Sequence, residues 1–463
     1  MASFGSERAW RASHQGIYSG VIARLHALFG DASDHSLVRR LAGAAFIIRI
    51  AAAFLAYVSQ VILARWLGSF EFGIYVYAWT WLLMVGGVVD LGLGSAAQRF
   101  IPEYTEQREF PLLRGFLSGS RWLALVIATA IASVGVVGVL IAGERIHSAT
   151  ILPLCLACLA LPAFSVAVVQ SGIARSYNWI NLGLVPTYVL RQVMLLVLMG
   201  AAYAAGLPTD ALVTMLATVI TLWVITLGQL IVLNKRLGTV IDQGPKAYAA
   251  GIWLKTAMPI SLVEGFYFLL TYCDVIVLTQ FRPPDEVAVY YAAAKTMALV
   301  AFIYFAVAQT VAHKFTEYHV AGDRKRLTDF IAHSIRLTFW PSLGLILVIL
   351  ASGVPLLRMF GRDFVSGYPL MFIIAVGLLA RASVGPAERL LNMLGERRAC
   401  AEVYGGSFLI NLGLCVVLIP HLGVFGAAIA SATALVVESI CLFLVAKYRL
   451  GFHCFVFGRS EDH

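Results

Sequence analysis

Glu71-Phe72-Gly73-Ile74-Tyr75-Val76-Tyr77-Ala78 returns later in the chain as Glu286-Val287-Ala288-Val289-Tyr290-Tyr291-Ala292-Ala293. Each octet starts with a glutamate, continues with apolar and small residues, and has a tyrosine at its fifth position. An octet of biased composition can recur by chance, so its place in the chain carries the argument. Each copy follows a short polar turn and opens the second long apolar run of its half.

Working outward from the octets, apolar runs of about twenty residues, enough to cross ~30 Å of hydrocarbon, lie near 41–66, 72–97, 119–143, 149–173, 180–202, 209–233, 252–280, 287–313, 332–357, 367–390, 401–420 and 424–446. Most connections are short. Several carry turn chemistry, such as Leu207-Pro208-Thr209-Asp210 and Arg282-Pro283-Pro284-Asp285. Short connections make antiparallel neighbours, so the expected fold is an all-α membrane bundle of about twelve transmembrane helices. Six helices per repeat give both halves the same orientation. The two lobes should then be related by a pseudo-two-fold axis along the membrane normal, with a cavity between them. The expected organisation is a cytoplasmic tail at 1–40, an N-terminal lobe at 41–234, a cytoplasmic linker at 235–251, a C-terminal lobe at 252–446 and a cytoplasmic tail at 447–463.

Composition points the same way. Of 463 residues, 60% are apolar and only 13% charged, against roughly 25% charged in an ordinary soluble domain. Mean hydropathy is +0.84. No polar stretch is long enough to form a soluble domain. Residues 1–40 are polar and have no signal-peptide core. Within them Ile17, Val21, Ile22, Leu25, Leu28 and Phe29 share one helical face, which reads either as a short helix lying on the inner leaflet or as a tail without fixed structure. The seven cysteines are scattered. Only Cys155 and Cys158 have C-x-x-C spacing, and they sit in an apolar run with no further ligands nearby, so neither a metal site nor a disulfide framework is expected.

Lysine and arginine set the expected orientation. Of 34 basic residues, twenty-five fall on one side, among them Arg99, Arg114, Arg175, Lys255, Lys325, Arg389 and Arg398. Five fall on the other, Arg65, Arg145, Arg282, Arg358 and Arg362. The rich side is expected to be the cytoplasm of a bacterial cell, with both termini inside and the chain in the inner membrane. The net charge of +9 is mostly this signal. It is no nucleic-acid footprint, because no basic domain lies outside the membrane.

The chain resembles the polysaccharide-transporter flippases of the O-antigen flippase type, within the superfamily that includes multidrug and toxin extruders and the lipid II flippase. The resemblance is carried by Leu63-Ala64-Arg65-Trp66-Leu67-Gly68 followed by Glu71-Phe72-Gly73-Ile74-Tyr75, and by Asp90-Leu91-Gly92-Leu93-Gly94-Ser95 running to Gln98-Arg99. It continues in Asp274-Val275-Ile276-Val277-Leu278, in Phe360-Gly361-Arg362-Asp363-Phe364, in Asn411-Leu412, and in Ile419-Pro420 with Gly423-Val424-Phe425-Gly426. Each motif is mostly small and apolar; their order over about residues 36–450 is the specific signal. The resemblance implies a carrier with the extruder-like fold. It would turn a polyprenyl-diphosphate-linked oligosaccharide over from the cytoplasmic to the periplasmic leaflet by alternating access, for O-antigen, capsule or exopolysaccharide synthesis. It also implies functional coupling to a polysaccharide polymerase and a chain-length regulator. The alternative is a proton- or sodium-coupled small-molecule exporter of the related extruder type.

An ionisable group at mid-membrane costs from about 2.5 kcal/mol upward and needs a reason to be there. Arg49, Arg191, Lys295 and Arg381, two from each half, are the expected substrate-binding cations, because a cationic, water-filled cavity can replace part of a diphosphate's hydration by charge-assisted hydrogen bonds. The resemblance adds weight to Arg49 and Lys295, since lipid II flippases use basic residues on the first and eighth helices. Among the acids, Glu264, Asp274, Asp90 and Glu438 are candidates for ion coupling or gating, as a carboxylate moved out of water holds its proton more readily. Matching depth on neighbouring helices also predicts an Asp274–Lys295 ion pair. Pro186, Pro259 and Pro341 mark expected hinge points. No enzyme is expected: there is no Walker loop and no H-E-x-x-H, and Gly92-x-Gly94 follows no strand and lacks the third glycine of a dinucleotide site. No cofactor is expected beyond a coupling proton or sodium ion.

Overall fold

The computed structural model describes residues 34–143 and 148–457, without the side chains of 34–47, 309, 310, 312, 313, 316 and 397. The amphipathic stretch from Ile17 to Phe29 lies outside the described residues, as do Arg145 and the segment 458–463. Among the described residues every regular element is helical. Among the described residues eleven helical stretches are long and apolar enough to cross a membrane, and the first, Ile48–Glu106, merges two helices across a kink and is long enough for two spans. It is broken at Gly68, whose φ of 75° and ψ of 173° suit only glycine without strain. Segments on either side of Gly68, with Tyr57 and Gln60 on one and Trp79 and Leu83 on the other, line the same cavity, so the chain folds back there. Among the described residues the result is twelve spans, matching the expected bundle of about twelve.

The helices are α1 (Asp34–Val89), α2 (Leu93–Glu106), α3 (Phe110–Ile141), α4 (Ser148–Ser176), α5 (Ile180–Val185), α6 (Arg191–Ala204) and α7 (Ala211–Leu237), followed by α8 (Ala250–Phe281), α9 (Pro284–Met297), α10 (Ala301–Val320), α11 (Arg324–Ala351), α12 (Gly353–Phe360), α13 (Tyr368–Ser383), α14 (Ala387–Met393), α15 (Arg397–Leu422) and α16 (Val424–Val445). A π-helical turn, Pro186–Leu190, joins α5 to α6, and a 3₁₀ turn, Ala298–Val300, joins α9 to α10. Of the three expected hinge prolines, Pro186 stands at the π turn, whereas Pro259 and Pro341 are carried inside α8 and α11.

The buried residues show how the lobes meet. One large core unites both lobes at the end that carries the turns before α7 and α9; it contains Phe72, Tyr75, Tyr290, Tyr291, Phe360 and Phe364. At the opposite end the core divides. Leu93, Phe100 and Phe116 form one part with Trp253 of α8, while Phe315, Ile335, Leu390 and Leu442 form the other. The lobes are therefore joined at the turn end and apart at the loop end, with the start of α8 packed on the N-terminal lobe. The repeated octets sit in the joint: Tyr75 and Tyr290, at matching positions, are each 1% exposed. Large apolar side chains such as Val134 and Ile231 are left exposed on the outside, as lipid-facing positions should be.

Candidate functional site

A cavity of about 1750 Å³ fills the space between the lobes. Its wall takes three exposed cations at the loop end, Arg99, Lys255 and Arg398, and five half-buried ones, Arg175, Arg191, Lys295, Arg381 and Arg389. Among the described residues, only Asp90, Glu264 and Glu388 oppose them on the wall. Aromatic rings from both lobes, Trp79 and Tyr188 from one and Tyr267, Tyr272, Tyr291 and Tyr304 from the other, make up much of the remainder.

The acids are already engaged. Asp90 stands at the break between α1 and α2, where Leu91 and Gly92 both take positive φ. Its carboxylate accepts from the backbone N–H of Gly92 at 3.3 Å and of Gly94 at 3.1 Å, satisfying the orphan donors that open α2. Glu264 of α8 accepts from the Ser95 hydroxyl of α2 at 2.7 Å, a bond between lobes. Glu388 accepts from the Tyr304 hydroxyl at 2.9 Å and lies 3.9 Å from Arg381. Arg381 makes its closer ion pair, 3.0 Å, with Glu438 of α16, which is fully buried behind the wall. Its guanidinium also rests 5.2 Å from the Tyr304 ring centroid.

Two cations of the wall are placed differently. The π turn at Pro186–Leu190 inserts a residue into the helical register just before Arg191. The Arg191 guanidinium lies 4.8 Å from the centre of the Trp79 ring. Lys295, from the other lobe, places its ammonium 5.0 Å from the Tyr291 ring and 5.5 Å from the Tyr272 ring. Trp79, Tyr272 and Tyr291 all line the cavity, so the rings that hold the two cations belong to one wall. Neither has a carboxylate within 4.0 Å among the described residues. Ring faces offset part of the desolvation of a cation while leaving its N–H groups free for an anion.

The other expected residues are placed as follows. Arg49 continues the cavity-facing stripe of Ala53, Tyr57 and Gln60 one turn further out, half-buried and beyond the wall, where its charge acts on Arg175. Asp274 is 7% exposed and also lies off the wall. It accepts from the Tyr290 hydroxyl, from the Ser431 hydroxyl at 2.8 Å and from the backbone N–H of Val275 at 2.7 Å. The expected Asp274–Lys295 ion pair is thus not made in this conformation, because hydroxyls of α9 and α16 satisfy the acid and rings hold the lysine. Sequence reading missed Glu388, Arg175, Arg389 and the aromatic wall as site residues.

A family model described as "polysaccharide biosynthesis protein" matches residues 39–313. The chain belongs to that family. A curated relative, a probable low-salt glycan biosynthesis flippase of Haloferax volcanii, is 24% identical over 208 residues, 44% of this chain. The match spans 42% of that relative's own length. Among solved structures, an inward-facing multidrug resistance MATE family transporter of the MOP superfamily superposes with a TM-score of 0.72 at 14% identity, covering 88% of this chain and 98% of that one. The lipid II flippase MurJ, in an inward closed conformation, gives 0.67 at 15% identity, with 87% of each chain covered. The likeness establishes the two-lobed extruder fold for this member of the family, as the repeat and the apolar spans led one to expect.

Proposed function

We propose that this family member is a flippase that carries a polyprenyl-diphosphate-linked oligosaccharide across the membrane through the cavity between its lobes. The observation that carries the reading is the pair Arg191 and Lys295. They come from opposite lobes, share a wall of rings and have no carboxylate within 4.0 Å among the described residues. A diphosphate diester brings two negative charges and several acceptor oxygens, which match one guanidinium and one ammonium. The aromatic and polar wall accommodates the glycan, while the apolar tail can stay in lipid. A lipophilic cation, the cargo of many drug exporters, would meet a wall of its own sign.

In this reading the basic loop end faces the cytoplasm of a bacterial inner membrane. The cavity then receives its cargo on the side where lipid-linked units are assembled, and the product is handed to a polymerase on the other side. Glu264, hydrogen-bonded between the lobes on the cavity wall, is the residue assigned to proton or sodium coupling, with Glu438 and Glu388 beside Arg381 as a second acidic group. Asp90 and Asp274 serve their local hydrogen-bond networks.

Two results are expected. Alkaline phosphatase fused after Lys325 will be inactive and inserted within 282–285 will be active; the reverse pattern overturns the orientation. In proteoliposomes, the purified protein will expose a fluorescent polyprenyl-diphosphate oligosaccharide to a membrane-impermeant glycosidase faster than empty vesicles do. Equal rates with and without protein would remove the flippase reading.

A further inference from the structure

The turn end of the molecule, where the lobes are joined, carries one contact whose chemistry differs from the packing around it. Arg65 of α1 donates from Nε to the Met359 carbonyl at 2.6 Å and from Nη2 to the Arg358 carbonyl at 2.9 Å. Those carbonyls lie in the last turn of α12, which stops at Gly361. The last carbonyls of a helix have no partner within it and carry its negative pole. A guanidinium fork answers both conditions at once. Because Arg65 belongs to one lobe and α12 to the other, this is a cap supplied across the lobe interface. Among the described residues the other hydrogen bonds between the lobes at this end are neutral, Gln280 to Tyr77 at 3.1 Å and Tyr57 with Thr296 at 3.3 Å.

The surroundings show what the cap holds closed. Phe72 is fully buried between lobes, its ring 6.1 Å from that of Tyr291 and 6.0 Å from that of Phe364. Gly73 lies so close to the start of α9 that a Cβ there would stand 1.8 Å from the Pro284 carbonyl oxygen. For the cavity to open at this end, Phe72 must leave the rings of the other lobe and the last carbonyls of α12 must lose their donors. Packing of this kind resists opening without setting a direction. The fork adds a directional element that forms only when α1 and α12 are in register.

We infer that Arg65 is the latch of the gate at the turn end, holding the cavity shut there by capping the C-terminus of α12 across the lobe interface. This rests on the reading of the protein as an alternating-access carrier. Because Arg65 is exposed, water competes for its partners, and losing the fork should shift the closed–open balance by about tenfold, the size expected for a solvent-accessible charge-assisted pair of bonds.

The test is a distance measurement between spin labels at Leu207 in the N-terminal lobe and Leu422 in the C-terminal lobe. Both are exposed at this end, Leu207 in the turn before α7 and Leu422 as the last residue of α15. The measurement uses full-length protein in nanodiscs on a background without the seven native cysteines. Arg65→Gln should raise the longer-distance population about tenfold, and Arg65→Lys, which can satisfy one carbonyl at a time, should raise it less. Gly73→Ala, which forces the two backbones apart, should shift it in the same direction by a steric route. If Gly73→Ala widens the distribution and Arg65→Gln leaves it unchanged, the gate is where we place it and the latch assignment is wrong. If neither variant moves it, the gate itself is misplaced and the latch falls with it. No substrate is present in this measurement, so failure of the flippase reading in the vesicle assay is recorded separately.

Discussion

Lys295→Ala and Arg191→Ala will each reduce flipping by about 10- to 100-fold while leaving the amount of folded protein in the membrane unchanged. The first half of that expectation follows from the bonds lost. A hydrogen bond between a charged group and its partner contributes about 1.5–3 kcal/mol, and each substitution removes one cation that the wall cannot replace from a neighbouring position. The second half follows from what is not lost. Neither side chain has a carboxylate within 4.0 Å among the described residues, so neither alanine breaks an ion pair, and Asp274, which senses the charge of Lys295 from further away, keeps its hydrogen bonds from Tyr290, Ser431 and Val275. Arg191→Lys should keep part of the activity, losing the fork and the flat contact with Trp79 but not the charge. The check is initial flipping rate in proteoliposomes against protein level and thermal unfolding in detergent. Unchanged rates in both alanine variants would take the two cations out of the transport path.

The twelve spans and the two-lobed plan were legible because apolar length and the repeated octet are properties of the chain itself. The same was true of Arg191, Lys295, Arg381 and Glu264. Each is a charge inside an apolar run, and all four stand on the cavity wall. Charges near helix ends were not legible in this way. Arg175, Arg389 and Arg398 have the spacing of any residue obeying the charge bias of membrane loops, and only the separation of the lobes at that end brings them to the cavity. Glu388 escaped because it lies in the short helix α14 after Pro386, a segment that reads as the tail of a longer span. The direction in which a side chain leaves its helix was not legible either. Asp274 and Lys295 are on adjacent helices, yet Asp274 points to Tyr290 and Ser431 and Lys295 to the rings of the cavity. A one-dimensional depth argument has no means of separating those faces. Arg49 lies on the cavity-facing stripe of its helix, one turn beyond the residues that line the wall.

Arg381 presents the opposite case to Lys295, and its replacement should unfold rather than silence the protein. Its guanidinium is held 3.0 Å from Glu438, a fully buried carboxylate, and 3.9 Å from Glu388. Breaking a buried pair by removing one partner typically costs about 3–5 kcal/mol, because the remaining charge keeps its desolvation penalty and loses its compensation. Arg381→Ala is therefore expected to lower the unfolding temperature in detergent sharply and to reduce the folded yield, with any loss of transport following from that. Glu438→Gln should be much milder, since Arg381 retains Glu388 and the face of Tyr304. The decisive variant replaces both partners, Arg381→Leu with Glu438→Leu. It removes the buried carboxylate together with its cation, and Glu388, half-buried on the cavity wall, keeps its bond from Tyr304. Recovery of most of the lost stability in the double variant, with transport restored, would make the pair a structural element of the C-terminal lobe. Recovery of stability without transport would show that the cation or the acid also acts on the cargo or the coupling ion. An Arg381→Ala protein as stable as the wild type would contradict the assignment of the pair as a stabilising element altogether.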